Sequence, residues 1–311
     1  MDGPSQANIK PSIGVAVITH HAKHHLSNCL PPFLESPLHP RVLVVNSSSN
    51  DGTIETAQEL GADTLVIPRK EFNHGSTREK ARKYLGTDIV VMLTPDAYAI
   101  DNQVLEKLVQ PIVTAKTAVA YARQISHNET DFFEAFPREF NYPTQSHIRG
   151  LDDAKTYGIY TFFCSNSCAA YSNQALDEIG GFQSVLLGED TVAVASLLRK
   201  GYKIAYVSEA VVKHSHRYSI LEEFQRHFDT GLARNEYQHL ISVGGSDSNR
   251  GKEYVREMIK RLAKEKPHLL PYAFTHIIAK WLGYTIGSFS VKAPSWLKKA
   301  LSSQDFYWTS E

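Results

Sequence analysis

The chain has 311 residues, 42% of them hydrophobic and 21% charged, with 33 basic side chains against 33 acidic ones. This ordinary globular balance excludes a disordered or fibrous chain and leaves no overall charge to hold nucleic acid, so an anion must be bound by a local arrangement. Three cysteines, an odd count, argue against a disulfide framework and for a reducing compartment.

Residues 1–12 are polar and lack the apolar core of a secretory signal, and no run reaches membrane-spanning length without a charge, so a cytoplasmic location is expected. Short β-branched runs at 15–18, 42–45, 64–67 and 89–93 then alternate with helical patterns closed by Gly61 and Gly86. Runs that are apolar throughout predict a parallel sheet covered on both faces, where ligands bind beyond the carboxyl ends of the strands. The residues just there are polar: Thr19, His20 and His21; then Asn46-Ser47-Ser48-Ser49-Asn50-Asp51-Gly52-Thr53; then Phe72-Asn73-His74-Gly75; then Thr94-Pro95-Asp96-Ala97. The second of these is also a turn in which Thr53 or Asp51 caps the next helix. Neither a G-x-G-x-x-G nor a Walker pattern occurs, which argues against dinucleotide and P-loop chemistry.

From about residue 120 the rhythm gives way to an aromatic stretch, Phe132 to Tyr142, and then to a second sheet element predicted over 160–171. Cys164 and Cys168 within it have no second cysteine pair and read as small apolar residues rather than zinc ligands. In Leu187-Gly188-Glu189-Asp190-Thr191, two carboxylates stand at the mouth of a helix whose Ala193, Val194, Leu197 and Leu198 form one apolar face and which Gly201 stops. Asp190 is thereby aimed away from the packed face, where a general base would be needed; the plain alternative is a helix cap stabilising by about 1 kcal/mol. A strand over 203–207 leads to His214-Ser215-His216, whose alternate side chains share one face, as a metal or phosphate site requires. Near the end, Pro271 opens a helix with Ile277, Ile278, Trp281 and Leu282 on one apolar face, followed by Lys292, Trp296, Lys298, Lys299 and Phe306-Tyr307-Trp308. Basic residues interleaved with tryptophan suit a membrane surface, and the same pattern suits packing on the rest of the chain.

The order of these motifs, from Asn46–Thr53 through Phe72–Arg78, Leu93–Ala97, Phe140–Pro143 and Gly188–Thr191 to His214-Ser215-His216 and Arg226-His227-Phe228-Asp229, resembles glycosyltransferase family 2, and within it the bacterial enzymes that use dTDP-L-rhamnose. The resemblance implies an α/β fold of GT-A type, a Rossmann-like, mostly parallel central sheet flanked by helices with a helical C-terminal tail. It divides the chain into a catalytic domain at 13–240, with a nucleotide-binding half at 13–115 and an acceptor half at 116–240, and an extension at 241–311. It implies Asp190 as the base of an inverting transfer, with Glu189 supporting the acceptor or orienting that base. Asp96 matches the last acid of the family's D-x-D motif, and His214, with His216 close behind, matches its C-terminal metal-binding histidine; Mg²⁺ or Mn²⁺ suits carboxylate, imidazole and diphosphate together. Thr19, Asn46, Ser48, Arg78 and Thr94 join Asp96 in the implied donor site, and Arg123 and Asn166 in the acceptor site. Thr94 stands where most of the superfamily has an acid, and Asn46 replaces another; its amide oxygen can still accept from a pyrimidine imide N–H. The implied partners are dTDP-L-rhamnose and a surface or lipid-linked glycan, with no nucleic acid, and the implied location is cytoplasmic or peripheral on the inner membrane face. The rivals are a UDP-hexose transferase and a nucleotide-sugar-binding module without turnover; intact Asp96, Asp190 and His214 argue against the second.

Overall fold

The computed structural model describes residues 10–128 and 130–309; most of the polar N-terminal segment, residues 1–9, lies outside them. Among the described residues nine strands form one sheet: β1 Ile13–Thr19, β2 Arg41–Asn46, β3 Asp63–Val66, β4 Ile89–Leu93, β5 Tyr98–Ala99, β6 Val119–Ile125, β7 His147–Arg149, β8 Cys168–Ser172 and β9 Ile204–Lys213. The order is β3-β2-β1-β4-β8-β6-β9-β5, with β7 also paired to β9. The half made of β3, β2, β1 and β4 is parallel. Beyond β4 the sheet is mixed, because β8 enters antiparallel between β4 and β6.

The uniformly apolar runs have the predicted consequence. In β1, Val15 and Val17 face one core and Ala16 and Ile18 the other, and in β4 Val91 and Leu93 oppose Val90 and Met92. Helices Lys23–Cys29, Thr53–Glu59 and Val104–Val113 cover the first face; His74–Leu85 and Glu189–Arg199 cover the second. All three cysteines are buried and unpaired, as small apolar residues.

Two expectations are corrected. The sheet element placed over 160–171 begins only at Cys168 and belongs to the same sheet, because Gly158–Phe162 winds into a 3₁₀ turn in which the Tyr160 hydroxyl donates to the Asn141 carbonyl at 2.6 Å. The strand read over 203–207 instead runs on to Lys213, with a register break opposite Ala122 and Arg123. Such a break re-aims the end of a strand, here the end that delivers His214.

The helix Leu270–Phe289 packs on Ile220–Ile241 through a face other than that of Ile278, Trp281 and Leu282. Its buried residues include Ala273, His276, Gly283 and Gly287; a Cβ on either glycine would collide with a carbonyl of Phe224 or Phe228. Close backbone approach, rather than large side chains, therefore sets this interface. Ile277 is half-buried against the cluster of Phe132, Phe136, Met258 and Leu262, whereas Ile278, Trp281 and Leu282 remain 54%, 63% and 38% exposed. Among the described residues no helix is long and apolar enough to cross a membrane.

Candidate active site at the carboxyl ends of the strands

Gly188 sits at φ +87° and opens the helix Glu189–Arg199, a conformation that costs other residues; a Cβ there would also strike the Tyr237 hydroxyl. Glu189 is buried and held from two sides: Arg78 Nη1 lies 3.1 Å from its Oε1, and Asn166 Nδ2 donates to the same oxygen at 2.9 Å. The Tyr171 hydroxyl donates to Asn166 Oδ1 at 2.7 Å, which fixes the amide. Asp190 differs from its neighbour. It stays partly exposed and accepts from Thr191 N at 2.7 Å and from Asn166 N at 3.3 Å, and among the described residues no ion pair joins it to a cation. Burial, then the charge of Glu189, pushes its pKa up to about 6. Two adjacent carboxylates are thus driven apart: Glu189 is ionised beside Arg78, and Asp190 is poised to take a proton near neutral pH.

A second cluster stands at the ends of β4 and β9. Asp96 Oδ2 lies 3.4 Å from His214 Nε2 and 3.1 Å from His216 Nε2, and the two imidazole nitrogens are 3.0 Å apart. Gln124 Oε1 lies 2.8 Å from His214 Nδ1, so this ring nitrogen carries the proton and Nε2 turns a lone pair toward Asp96 and His216. Burial lowers the pKa of both histidines, that of His216 to about 4 with the charge of His214 adding to it, and so both are neutral. Although burial opposes it, the imidazoles of His214 and His216 beside Asp96 hold its carboxyl well below the usual carboxylate range. One carboxylate and two neutral imidazoles, with ligand atoms all within 4.8 Å of one another, fit a divalent cation.

The loops after β1 and β2 form a third region. The Thr19 hydroxyl donates to the Val45 carbonyl, and Asn46 closes its own loop, accepting from Ser49 N and donating to Ser49 Oγ, both at 2.7 Å. Ser48 donates to the Ile67 carbonyl. These expected donor-site side chains are therefore engaged within the protein, and Arg78 is committed to Glu189 and His74. Asp51 accepts from Thr53 N and Oγ1, but the cap position of the helix Thr53–Glu59 is held by Gly52 rather than by Asp51 or Thr53 as expected. Thr94 lies at the end of β4, where its backbone N–H donates to Ser167. Asn166 touches both helix-mouth carboxylates, but among the described residues no hydrogen bond or ion pair joins Arg123 to them; it lies at the β6 register break, where its charge acts on Tyr206.

Sequence reasoning missed Gln124, whose only signal was an Arg-Gln pair breaking the apolar run of β6, and Arg69, just past β3, which donates to Ser47 Oγ at 3.2 Å. It also missed where the chain ends. Ser303 donates from N and Oγ to buried Asp229 at 2.8 and 2.6 Å, Gln304 Oε1 lies 3.3 Å from His74 Nε2, and the Phe306 ring packs on Phe72, His74 and Arg69. The C-terminal segment thereby braces the side chains that hold Arg78.

The family model described as "Glycosyl transferase family 2" matches residues 14–180. The chain is 33% identical over 300 residues to the O-antigen chain rhamnosyltransferase RfbN of Salmonella typhimurium, covering 95% of this chain and 96% of that one. It is 35% identical over 270 residues to the O-antigen chain rhamnosyltransferase WbaN of Salmonella anatum, covering 86% of each. Among solved structures, the mannosyltransferase PcManGT from Pyrobaculum calidifontis, in complex with GDP-Man and Mn²⁺, is similar with a TM-score of 0.64 at 15% identity, over 91% of this chain and 88% of that one. S. aureus TarS 1–349 is similar with a TM-score of 0.53 at 12% identity, over 90% and 91%.

Proposed function

We propose, from the premise that this chain belongs to glycosyltransferase family 2, that it transfers L-rhamnose from dTDP-L-rhamnose to a growing surface or lipid-linked glycan, with inversion at the transferred carbon. The observation that carries the reading is the pairing of a partly exposed Asp190, its pKa raised to about 6, with a separate Asp96-His214-His216 cluster. The rhamnosyltransferases it resembles over most of its length support the choice of sugar.

In this mechanism Asp190 accepts the proton of the acceptor hydroxyl as that oxygen attacks the sugar from the face opposite the nucleotide. Glu189, anchored by Arg78 and Asn166, keeps a fixed negative charge beside Asp190 and so strengthens it as a base. Asp96, His214 and His216 would hold Mg²⁺ or Mn²⁺, which supplies positive charge to the departing diphosphate. Gln124 keeps His214 in the tautomer that this requires. Arg69 places a further cation beside the loop after β2.

A thermal-shift panel of nucleotide sugars with and without Mn²⁺ tests the donor. A ligand present at 100 times its Kd adds about 2.7 kcal/mol of stability, so dTDP-L-rhamnose with Mn²⁺ should give the largest rise in Tm. A larger rise with a UDP-hexose would transfer the reading to that donor.

The C-terminal brace gives a second expectation. Phe306→Ala should lower kcat/KM by up to roughly 10²-fold, the scale of a misplaced catalytic group, while far-ultraviolet circular dichroism is unchanged. Unaltered kinetics would make the brace purely structural.

The inner membrane face is proposed as the working location. Phe274, Ile278, Trp281, Phe289 and Trp296 are all more than half exposed, beside exposed Lys292 and Lys299. Anionic lipid attracts each such lysine by about 1 kcal/mol, so liposome co-sedimentation should need anionic lipid and weaken in salt. Protein that stays in the supernatant at low salt would refute the location.

A further inference from the structure

Five residues, Phe163 to Ser167, join the 3₁₀ turn Gly158–Phe162 to β8 and pass between the helix-mouth carboxylates and the Asp96-His214-His216 cluster. A connection without a helix or sheet ladder of its own is ordinarily mobile, yet every residue of this one is bonded. At its start Arg149 Nη2 donates to the Phe163 carbonyl at 2.7 Å. Arg149 is fully buried, its guanidinium lies over the rings of Tyr121, Tyr157 and Tyr160, and among the described residues no ion pair joins it to a carboxylate. A buried cation without a counter-charge is costly, and here it fixes the entry to this segment.

At the cation end the bonds close a ring. His214 Nδ1 and Arg138 Nη1 both donate to Gln124 Oε1, at 2.8 and 3.0 Å. Gln124 Nε2 donates to Ser165 Oγ at 2.9 Å, Ser165 Oγ donates to Ser167 Oγ at 3.2 Å, and Ser167 Oγ lies 3.4 Å from His214 Nε2. A cation would take the Nε2 lone pair from Ser167. The path through Nδ1, Gln124 and Ser165 does not use that lone pair, and neither does the bond from Thr94 N to the Ser167 carbonyl at 3.3 Å. At the base end Asn166, between the two serines, donates from N to Asp190 and from Nδ2 to Glu189. The hydroxyl of buried Tyr171 donates in turn to Asn166 Oδ1.

We propose that Ser165-Asn166-Ser167 is one rigid bridge that sets the base at a fixed separation from the cation site, with Ser165 and Tyr171 as positioning residues at its two ends. The transfer needs the attacking oxygen and the departing diphosphate on opposite faces of one carbon, so an error in that separation lowers the rate steeply. Among the described residues the Tyr171 hydroxyl is bonded to no member of the cation cluster, and the Ser165 hydroxyl to neither carboxylate. Each therefore reaches the far site only through the bridge. This rests on the transferase reading and adds to it the element that joins its two centres.

The test compares the native full chain with Tyr171→Phe, Ser165→Ala and the double variant; each substitution removes one hydroxyl, no charge and little volume. Calorimetric titration of Mn²⁺ is the first readout. Ser165→Ala should weaken Mn²⁺ binding by roughly tenfold, and Tyr171→Phe by roughly threefold although its hydroxyl is remote from the cluster. The double variant should lose little more than Ser165→Ala alone, because both substitutions loosen one element. The second readout is release of dTDP from dTDP-L-rhamnose into water with Mn²⁺ saturating, where Ser165→Ala should lower kcat by roughly tenfold at a nearly unchanged KM. Native Mn²⁺ affinity in Tyr171→Phe, or losses that simply add in the double variant, overturns the bridge. Native protein that binds Mn²⁺ but releases no dTDP counts against the transferase reading and leaves the Mn²⁺ titrations to judge the bridge. Native protein that does both, with variants that match it, counts against the bridge alone.

Discussion

Asp190→Asn is expected to lower turnover by roughly two to four orders of magnitude while dTDP affinity stays within a small factor of the native value, because a general base acts in the transfer step and not in donor binding. The variant should be at least as stable as the parent. Burial and Glu189 raise the Asp190 pKa to about 6, so near neutral pH the folded protein carries an ionised carboxylate that it disfavours, and the amide removes that burden. A carboxylate serving only as a helix cap would show the opposite pattern, unchanged rate with altered stability. The pH dependence has a definite sign. The base works ionised, so kcat/KM should be flat above about pH 6 and fall by about tenfold per unit below it, with the limb absent from Asp190→Asn. Steady-state kinetics from pH 4.5 to 8 on both proteins would decide the matter, and near-native turnover in the variant would remove the assignment.

Loss of the divalent cation is expected to weaken dTDP binding strongly, and Asp96→Ala or His214→Ala should weaken it to a similar degree even with Mn²⁺ present. His216→Ala should be milder, since its imidazole is the more exposed of the two. A sharper outcome concerns Gln124, which touches the cluster only through His214 Nδ1. Gln124→Ala frees the ring to choose the other tautomer and should cost roughly 10–100-fold in Mn²⁺ affinity, the usual effect of removing a partner behind a metal-binding histidine. Calorimetric titration of Mn²⁺ and of dTDP into each variant reads both effects. Equal dTDP affinity with and without chelator would shift the burden of the diphosphate charge to Arg69 and backbone N–H groups.

Much of the frame was legible in the chain itself. The runs containing Val15, Val44 and Val91 are apolar without alternation, which only a sheet covered on both faces can satisfy, and their polar sequels mark the ligand-binding edge. Gly188, the two carboxylates and the apolar face through Leu197 and Leu198 likewise define a helix with Asp190 at its open end, because local periodicity and a left-handed glycine need no distant partner. The spacing of His214 and His216 was readable for the same reason.

Tertiary structure alone decided the rest, since each case turns on which distant groups meet. Arg78 reads as a donor contact, and only the fold shows that its guanidinium is also buried against Glu189, 111 positions along the chain, where an unpaired carboxylate would be costly. Asn46 reads as a nucleotide contact, and only the fold shows that its amide also closes the loop to Ser49. The helix Leu270–Phe289 shows the limit most plainly. Periodicity located an apolar face at Ile278 and Trp281, but the glycines at 283 and 287 allow a closer approach on another side, and dispersion at close contact outweighs the burial of the larger groups. Periodicity determined that this helix carries an apolar face; which face is spent on the fold, and which is left for a ligand or a membrane, was settled only by the backbone that came to lie beside it.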